Sequence, residues 1–268
     1  MKAAGLAALL GELRSLGLTL REEVAPARVG PIVVSGVLAE QLAKQLGAGA
    51  DPGAVVVGTG APPANTSVVV HVVAGDPSAE DEAVIGEAAT NGIAVVIVEL
   101  WPQEDWTRPF VLSPFVVECR AGEGFPIREI ADRIALATED SAALAASVPA
   151  LEDSTRAGLV KQSVIRSALI GLASNRFGAA RPLLTLEQVR MTSRLRRVSS
   201  EEELSDDLPA LAARAAAVLA SGFALRAVAR SGRTILPEPV VHVAVAAAGT
   251  WALAKVAQFV ESRLPSPE

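Results

Sequence analysis

Five short runs of β-branched residues, each separated from the next by a helical or turn-rich stretch, constrain this chain more than any other feature. They are PIVV at 31–34, AVVV at 54–57, SVVVHVV at 67–73, AVVIVE at 94–99 and FVVE at 115–118. Such alternation is the pattern of a parallel sheet with crossover helices. From residue 54 onward the runs are nearly uniform in Val rather than alternating with polar residues, so both sheet faces are expected to be covered, giving a three-layer α/β sandwich. Between the runs, Val37–Gln45 and Ser78–Asn91 read as helices. Ser78 is the N-cap of the second, Asp81 completes a capping box, and Asn91-Gly92 supplies a left-handed stop. A further helix is expected from Pro126, at its first position, through Ala137.

After Ala137 the strand signal ends. Residues 138–154, rich in Ala, Ser, Asp and Pro, read as a linker. Everything beyond reads as helical: Thr155–Asn175, Pro182–Arg197, an acidic connector at 199–207, then Leu208–Ser231 and Pro239–Leu264. Two domains are therefore expected, 1–150 and 151–268, each long enough to bury a core. The charge supports that division. Residues 1–150 carry 9 Lys and Arg against 19 Asp and Glu, a net of −10, whereas 151–268 carry 15 against 11, a net of +4. Residues 1–20 have apolar runs interrupted by Glu12 and Arg14, and read as an amphipathic helix rather than a signal peptide.

The first strand-to-helix junction, PIVVSGVLAEQL at 31–42, stands where nucleotide-binding α/β proteins carry a phosphate loop. Holding a triphosphate there requires a glycine-rich ring of amide donors, a Lys for the β and γ oxygens and a Ser or Thr for Mg²⁺, spaced GxxxxGK[ST]. Lys44 is the sole candidate Lys in this unit, and it lies well inside the helix. GTGAPP at 58–63 has glycines, but its prolines lack N–H donors, so it reads as a plain loop. His71 sits within an apolar strand and reads as a structural histidine. His242 lies in an apolar helix, where packing is the expected role. Neither stands at metal-ligand spacing with carboxylates, so no metal or cofactor is expected. Cys119 is the only cysteine, which excludes an internal disulfide; adjacent Arg120 is able to lower a thiol pKa, but with no base histidine nearby a resting thiol is expected. Asp76, Glu80, Asp81 and Glu82 follow the third strand at the sheet edge where open α/β sheets bind ligands, and they also serve capping and dipole roles.

The order of these pieces resembles a bacterial small GTPase domain stripped of its signature loops. In that family a strand like SVVVHVVAG is followed by an acidic helix and then by a strand ending in an Asn-Lys-x-Asp guanine-reading motif. Here AVVIVEL runs into Trp101-Pro102-Gln103-Glu104-Asp105, without the Asn and Lys. FVVECRAGEGFPIREIADRI at 115–134 resembles the family's final strand, base-contacting loop and closing helix. The second domain resembles the YcjF-type helical domain, which is found behind bacterial GTPase domains or in membrane proteins. The resemblance rests on Pro182, Gln188 and Met191 in ARPLLTLEQVRMTSRLRR and on Ala-Gly-Thr-x-Ala at 248–252. It implies membrane association for some members and no reaction.

The expected function is therefore that of a nonenzymatic binding or scaffolding protein: a pseudo-GTPase joined to an all-α, Ala-rich helical domain, with no catalytic, cofactor or metal residues. A protein partner or self-association is expected through the helices Ala210–Arg230 and Val240–Val260, where Gly222, Ala246 and Gly249 permit close approach. Arg194, Arg196, Arg197, Arg226, Arg230 and Arg233 add peripheral contact with an acidic lipid surface, so the expected location is the cytoplasm, at the inner face of the cell membrane. Scarce aromatics, overall acidity and the absence of a binding motif argue against nucleic acid. The alternative is a ligand-binding sensor or enzyme using the sheet edge at Ser35, Gly36, Thr59, Gly60, Asp76 and Glu99.

Overall fold

A computed structural model describes residues 29–102, 115–177, 180–198 and, within 243–255, all but 245 and 253. The expected helix over residues 1–20, the connector at 199–207, Leu208–Ser231 and the ends of Pro239–Leu264 lie outside the described residues.

The five apolar runs form five strands: β1 (Ile32–Gly36), β2 (Val55–Val57), β3 (Val68–Ala74), β4 (Ala94–Leu100) and β5 (Val116–Cys119). All neighbouring pairs are parallel and the order is β2-β1-β3-β4-β5. This is a common doubly wound arrangement, in which the chain steps one way from β1 to β2 and the other way from β3 to β4. Right-handed crossovers then place the two connecting helices on opposite faces. These are α1 (Ala39–Leu46), packed on β1 and β2, and α2 (Ala79–Thr90), packed on β3 and β4. Val68 to Val73 are all buried, as a central strand covered on both faces requires.

Two apolar clusters hold α2 down. Val33, Val69, Ala88 and Ile93 form one, and Val73, Ile85, Ile97 and Val116 the other. Helix α2 begins as the sequence predicts, with Ser78 and Asp81 in a reciprocal capping box; the left-handed residue that ends it is Gly92, at φ 69°. Helix α3 (Ile127–Ala137) packs on β4 and β5, and Pro126 stands one position earlier than expected, at the N-cap.

Residues 138–154 do not form a linker. Asp140 caps a short helix, α4 (Ser141–Ser147), a 3₁₀ turn follows at Pro149–Leu151, and Ala142, Leu144, Ala145, Val148 and Leu151 are all buried. A composition of Ala and Ser lacks strand signal, yet it spaces apolar residues at helical intervals and packs closely. Helices α5 (Glu152–Phe177) and α6 (Ala180–Val198) follow.

The described residues divide into two compact units, and the division falls after Gly158, within α5. The first comprises 29–102 and 115–158 with Arg197 and Val198. An Arg197–Asp140 ion pair at 3.4 Å lies within it. The second comprises 159–177, 180–196 and the helical segment within 243–255. Among the described residues no helix is long and apolar enough to cross a membrane.

Candidate functional site at the switch point of the sheet

Open α/β sheets bind ligands beyond the carboxyl ends of the strands where the winding reverses. Here that point lies between β1 and β3. In the β1–β3 register Ser35 stands opposite His71. Ser35 Oγ is 2.8 Å from His71 Nδ1, and His71 Nε2 is 2.8 Å from Asp81 Oδ1 on the first turn of α2. Asp81 uses its other oxygen to accept the Ser78 N–H at 2.8 Å and the Ser78 hydroxyl at 2.7 Å. Burial pushes the Asp81 pKa up, but the hydrogen bonds from Ser78 and His71 outweigh it and hold the carboxyl below the ordinary value. An ionised Asp81 only accepts, so Nε2 carries the ring proton in the neutral imidazole and Nδ1 accepts from Ser35.

A hydroxyl donating to an imidazole that donates to a carboxylate is the order of groups that activates a serine nucleophile. Its setting is different. Ser35 is 3% exposed and His71 2%, so the hydroxyl is not presented to a substrate, and both ring nitrogens are engaged within the fold. The chain of bonds ties β1, β3 and α2 together.

The junction above it is closed in the same way. Gly36 has φ 89°, and a Cβ there would lie 2.0 Å from the Val72 carbonyl oxygen, so only glycine fits. The Val37 N–H donates to that same carbonyl at 3.0 Å. A donor that a phosphate loop would turn toward its ligand is committed here to the sheet. Leu38, itself left-handed at φ 57°, caps α1 without a side-chain hydrogen bond. Lys44 is exposed in the last turn of α1, away from the junction.

The remaining candidates are spread along the same edge. Thr59 and Gly60 are exposed in the loop after β2, and Asp76 is exposed after β3, as are Glu80 and Glu82 on α2. Glu99 is buried near the end of β4, opposite Val73 and Glu118 in the register. Trp101 closes β4, half exposed; Gln103, Glu104 and Asp105 lie outside the described residues. Cys119 is buried, with Sγ 3.9 Å and 3.6 Å from the carbonyl oxygens of Glu123 and Gly124. Its pKa is raised, first by burial and then by Glu123, the opposite of the effect open to Arg120. Among the described residues no group of three or more His, Cys, Asp or Glu is placed to hold a metal ion.

In the second unit, Gln188 and Met191 are buried on α6, and Ala246 is buried on the segment within 243–255, as is Gly249. Glu187, which the sequence did not single out, is buried there too. It accepts from Ser163 Oγ at 3.3 Å and lies 3.7 Å from Arg166. Thr250 Oγ1 is 2.8 Å from Ser167 Oγ and 2.9 Å from the Ala246 carbonyl. Arg194 and Arg197 lie on α6; the side chain of Arg196, and Gly222, Arg226, Arg230, Arg233 and His242, lie outside the described residues. No family model, curated protein or solved structure matches this chain.

Proposed function

We propose that this protein is a nonenzymatic binding or scaffolding module, a pseudo-GTPase joined to a helical domain of the YcjF type. The observation that carries this reading is the closed β1–α1 junction. The Val37 N–H is bonded to Val72, the Gly36 position leaves no space beside the strand, and no Lys stands at the turn. A triphosphate there would find neither a ring of donors nor a cation, and would meet the acids at 76 and 80–82 instead. Calorimetric titration of the full chain with GTP, GDP and ATP in Mg²⁺ tests it. No heat of binding is expected; a Mg²⁺-dependent micromolar affinity would overturn it.

The helical unit supports the binding role in its own way. On α5, Ile165, Leu169 and Leu172 are 51%, 60% and 55% exposed, all on one face, while Ser163 and Ser167 are buried. An apolar stripe left outside suits a partner helix or, with the net positive charge of residues 151–268, peripheral contact with an acidic membrane surface on the cytoplasmic side. Flotation of the full chain with anionic vesicles at low and high salt tests the latter.

A second reading, a small-ligand sensor or enzyme at the sheet edge, is favoured by the Ser35–His71–Asp81 chain alone. A fluorophosphonate that labelled Ser35 would establish it; the closed geometry predicts no labelling.

A further inference from the structure

We propose that the carboxyl edge of the sheet is a docking surface for a cationic amphipathic helix of a partner protein, anchored on Leu38 and Trp101. The proposal deepens the binding-module reading and rests on it.

Among the described residues only two that are not glycine have a left-handed backbone, Leu38 at φ 57° and Trp101 at φ 54°. Side chains with a Cβ are strained there, and folding alone would favour Gly or Asn. Burial does not offset that strain, because Leu38 is 47% and Trp101 54% exposed. Both backbones are nevertheless held firmly. The Leu38 carbonyl accepts the N–H groups of Gln41 and Leu42 at 3.0 and 3.1 Å, and the Trp101 N–H donates to the Cys119 carbonyl at 2.8 Å. Two large apolar side chains are thus displayed to solvent on a rigid frame.

Their spacing and surroundings define the occupant. Leu38 follows β1 and Trp101 follows β4, with β3 between them. Two strand spacings separate the two loops by about 10 Å, close to the rise of seven residues of a helix, about 10.5 Å. In the loop after β3 stands Asp76, followed by Glu80 and Glu82 on the first turn of α2, all exposed. Residues 29–158 carry 18 acidic side chains against 6 basic ones. A helix with apolar residues one heptad apart and Lys or Arg between them meets both the anchors and the charge.

The test is fluorescence anisotropy of a labelled Leu/Lys amphipathic peptide of about 18 residues, titrated with the full chain. Micromolar binding is expected, weakening as salt rises. Trp101→Ala and Leu38→Gly should each reduce it about tenfold or more, and a Leu/Glu peptide of the same pattern should not bind. Leu38→Gly relieves the strained backbone, so an unchanged or raised Tm shows that its loss of binding is not unfolding. Binding unaffected by either substitution, or equal binding of the Leu/Glu peptide, overturns the proposal. Self-association of the full chain that Leu38→Gly abolishes would make a second copy the occupant and overturn it equally. A nucleotide-binding result bears on the pseudo-GTPase reading alone, so the two failures are distinguishable.

Discussion

Strand β3, central in the sheet, and the second-unit part of α5 bury opposite kinds of side chain. From Val68 to Val73 every residue of β3 is inside, and the single polar one, His71, is bonded on both ring nitrogens. On α5 the inward stripe is Leu159, Ser163 and Ser167, at every fourth residue, and the serines bond Glu187 and Thr250. The larger Ile165, Leu169 and Leu172 face out. The sheet unit is thus stabilised chiefly by apolar area, with the Ser35–His71–Asp81 knot set within it. In the helical unit small residues approach closely and hydrogen-bond across helices, while its largest apolar surface on α5 remains available for another contact.

The contrast breaks most visibly at His71. Truncating it leaves a cavity beneath α2 and strips Ser35 of its buried acceptor, so His71→Ala should cost about 3 kcal/mol in urea unfolding of the full chain. A loss under about 1 kcal/mol would mean that the polar knot is incidental to the sheet. Asp81 comes next. Its folded-state pKa lies below the ordinary value of 3.8, so its ionised form stabilises the fold. That contribution is fully present above the ordinary value and is lost as pH falls through the lowered one. Asp81→Ala should therefore cost about 2 kcal/mol at neutral pH, and the difference between variant and parent should shrink as the solution is acidified toward and below pH 3.8. A difference that stayed constant with pH would assign the loss to the cap alone.

The two units also differ in how much of each could be read from sequence. Val-rich runs announce buried parallel strands directly, and the Ser78–Asp81 box announces the start of α2, because both signals are local. The knot was illegible for the opposite reason. Ser35, His71 and Asp81 are 36 and 10 residues apart in successive bonds, and only strand register brings the first two face to face. Each residue taken singly has a bland explanation: a polar residue at a strand end, a core histidine, a helix cap. Parity offers the one available hint, since Val33, Val69, Ser35 and His71 must share a face once β1 and β3 are paired in that register. The buried segment at 138–154 reads as a linker because Ala contributes to packing without leaving a strong periodic signal. On α5 hydropathy points the wrong way beyond Leu159, because the buried positions that follow it are Ser163 and Ser167.

The smallest effects probe the helical side. Ser167→Ala removes one neutral hydrogen bond to Thr250, whose hydroxyl keeps the Ala246 carbonyl. About 1 kcal/mol is expected, a third of the His71 effect. Leu169→Gln should change folding stability by less than about 0.5 kcal/mol, because a side chain already 60% exposed has little apolar area to lose on exchange for a polar one of similar length. The measurement is urea unfolding of the full chain at low protein concentration, repeated at high concentration. If the outward stripe meets a second copy of the chain, the parent gains stability with concentration and the variant does not. A loss of about 2 kcal/mol or more for Leu169→Gln at low concentration would show that the stripe is already covered within the chain. The inversion that separates α5 from β3 would then disappear, since both would bury their apolar side chains.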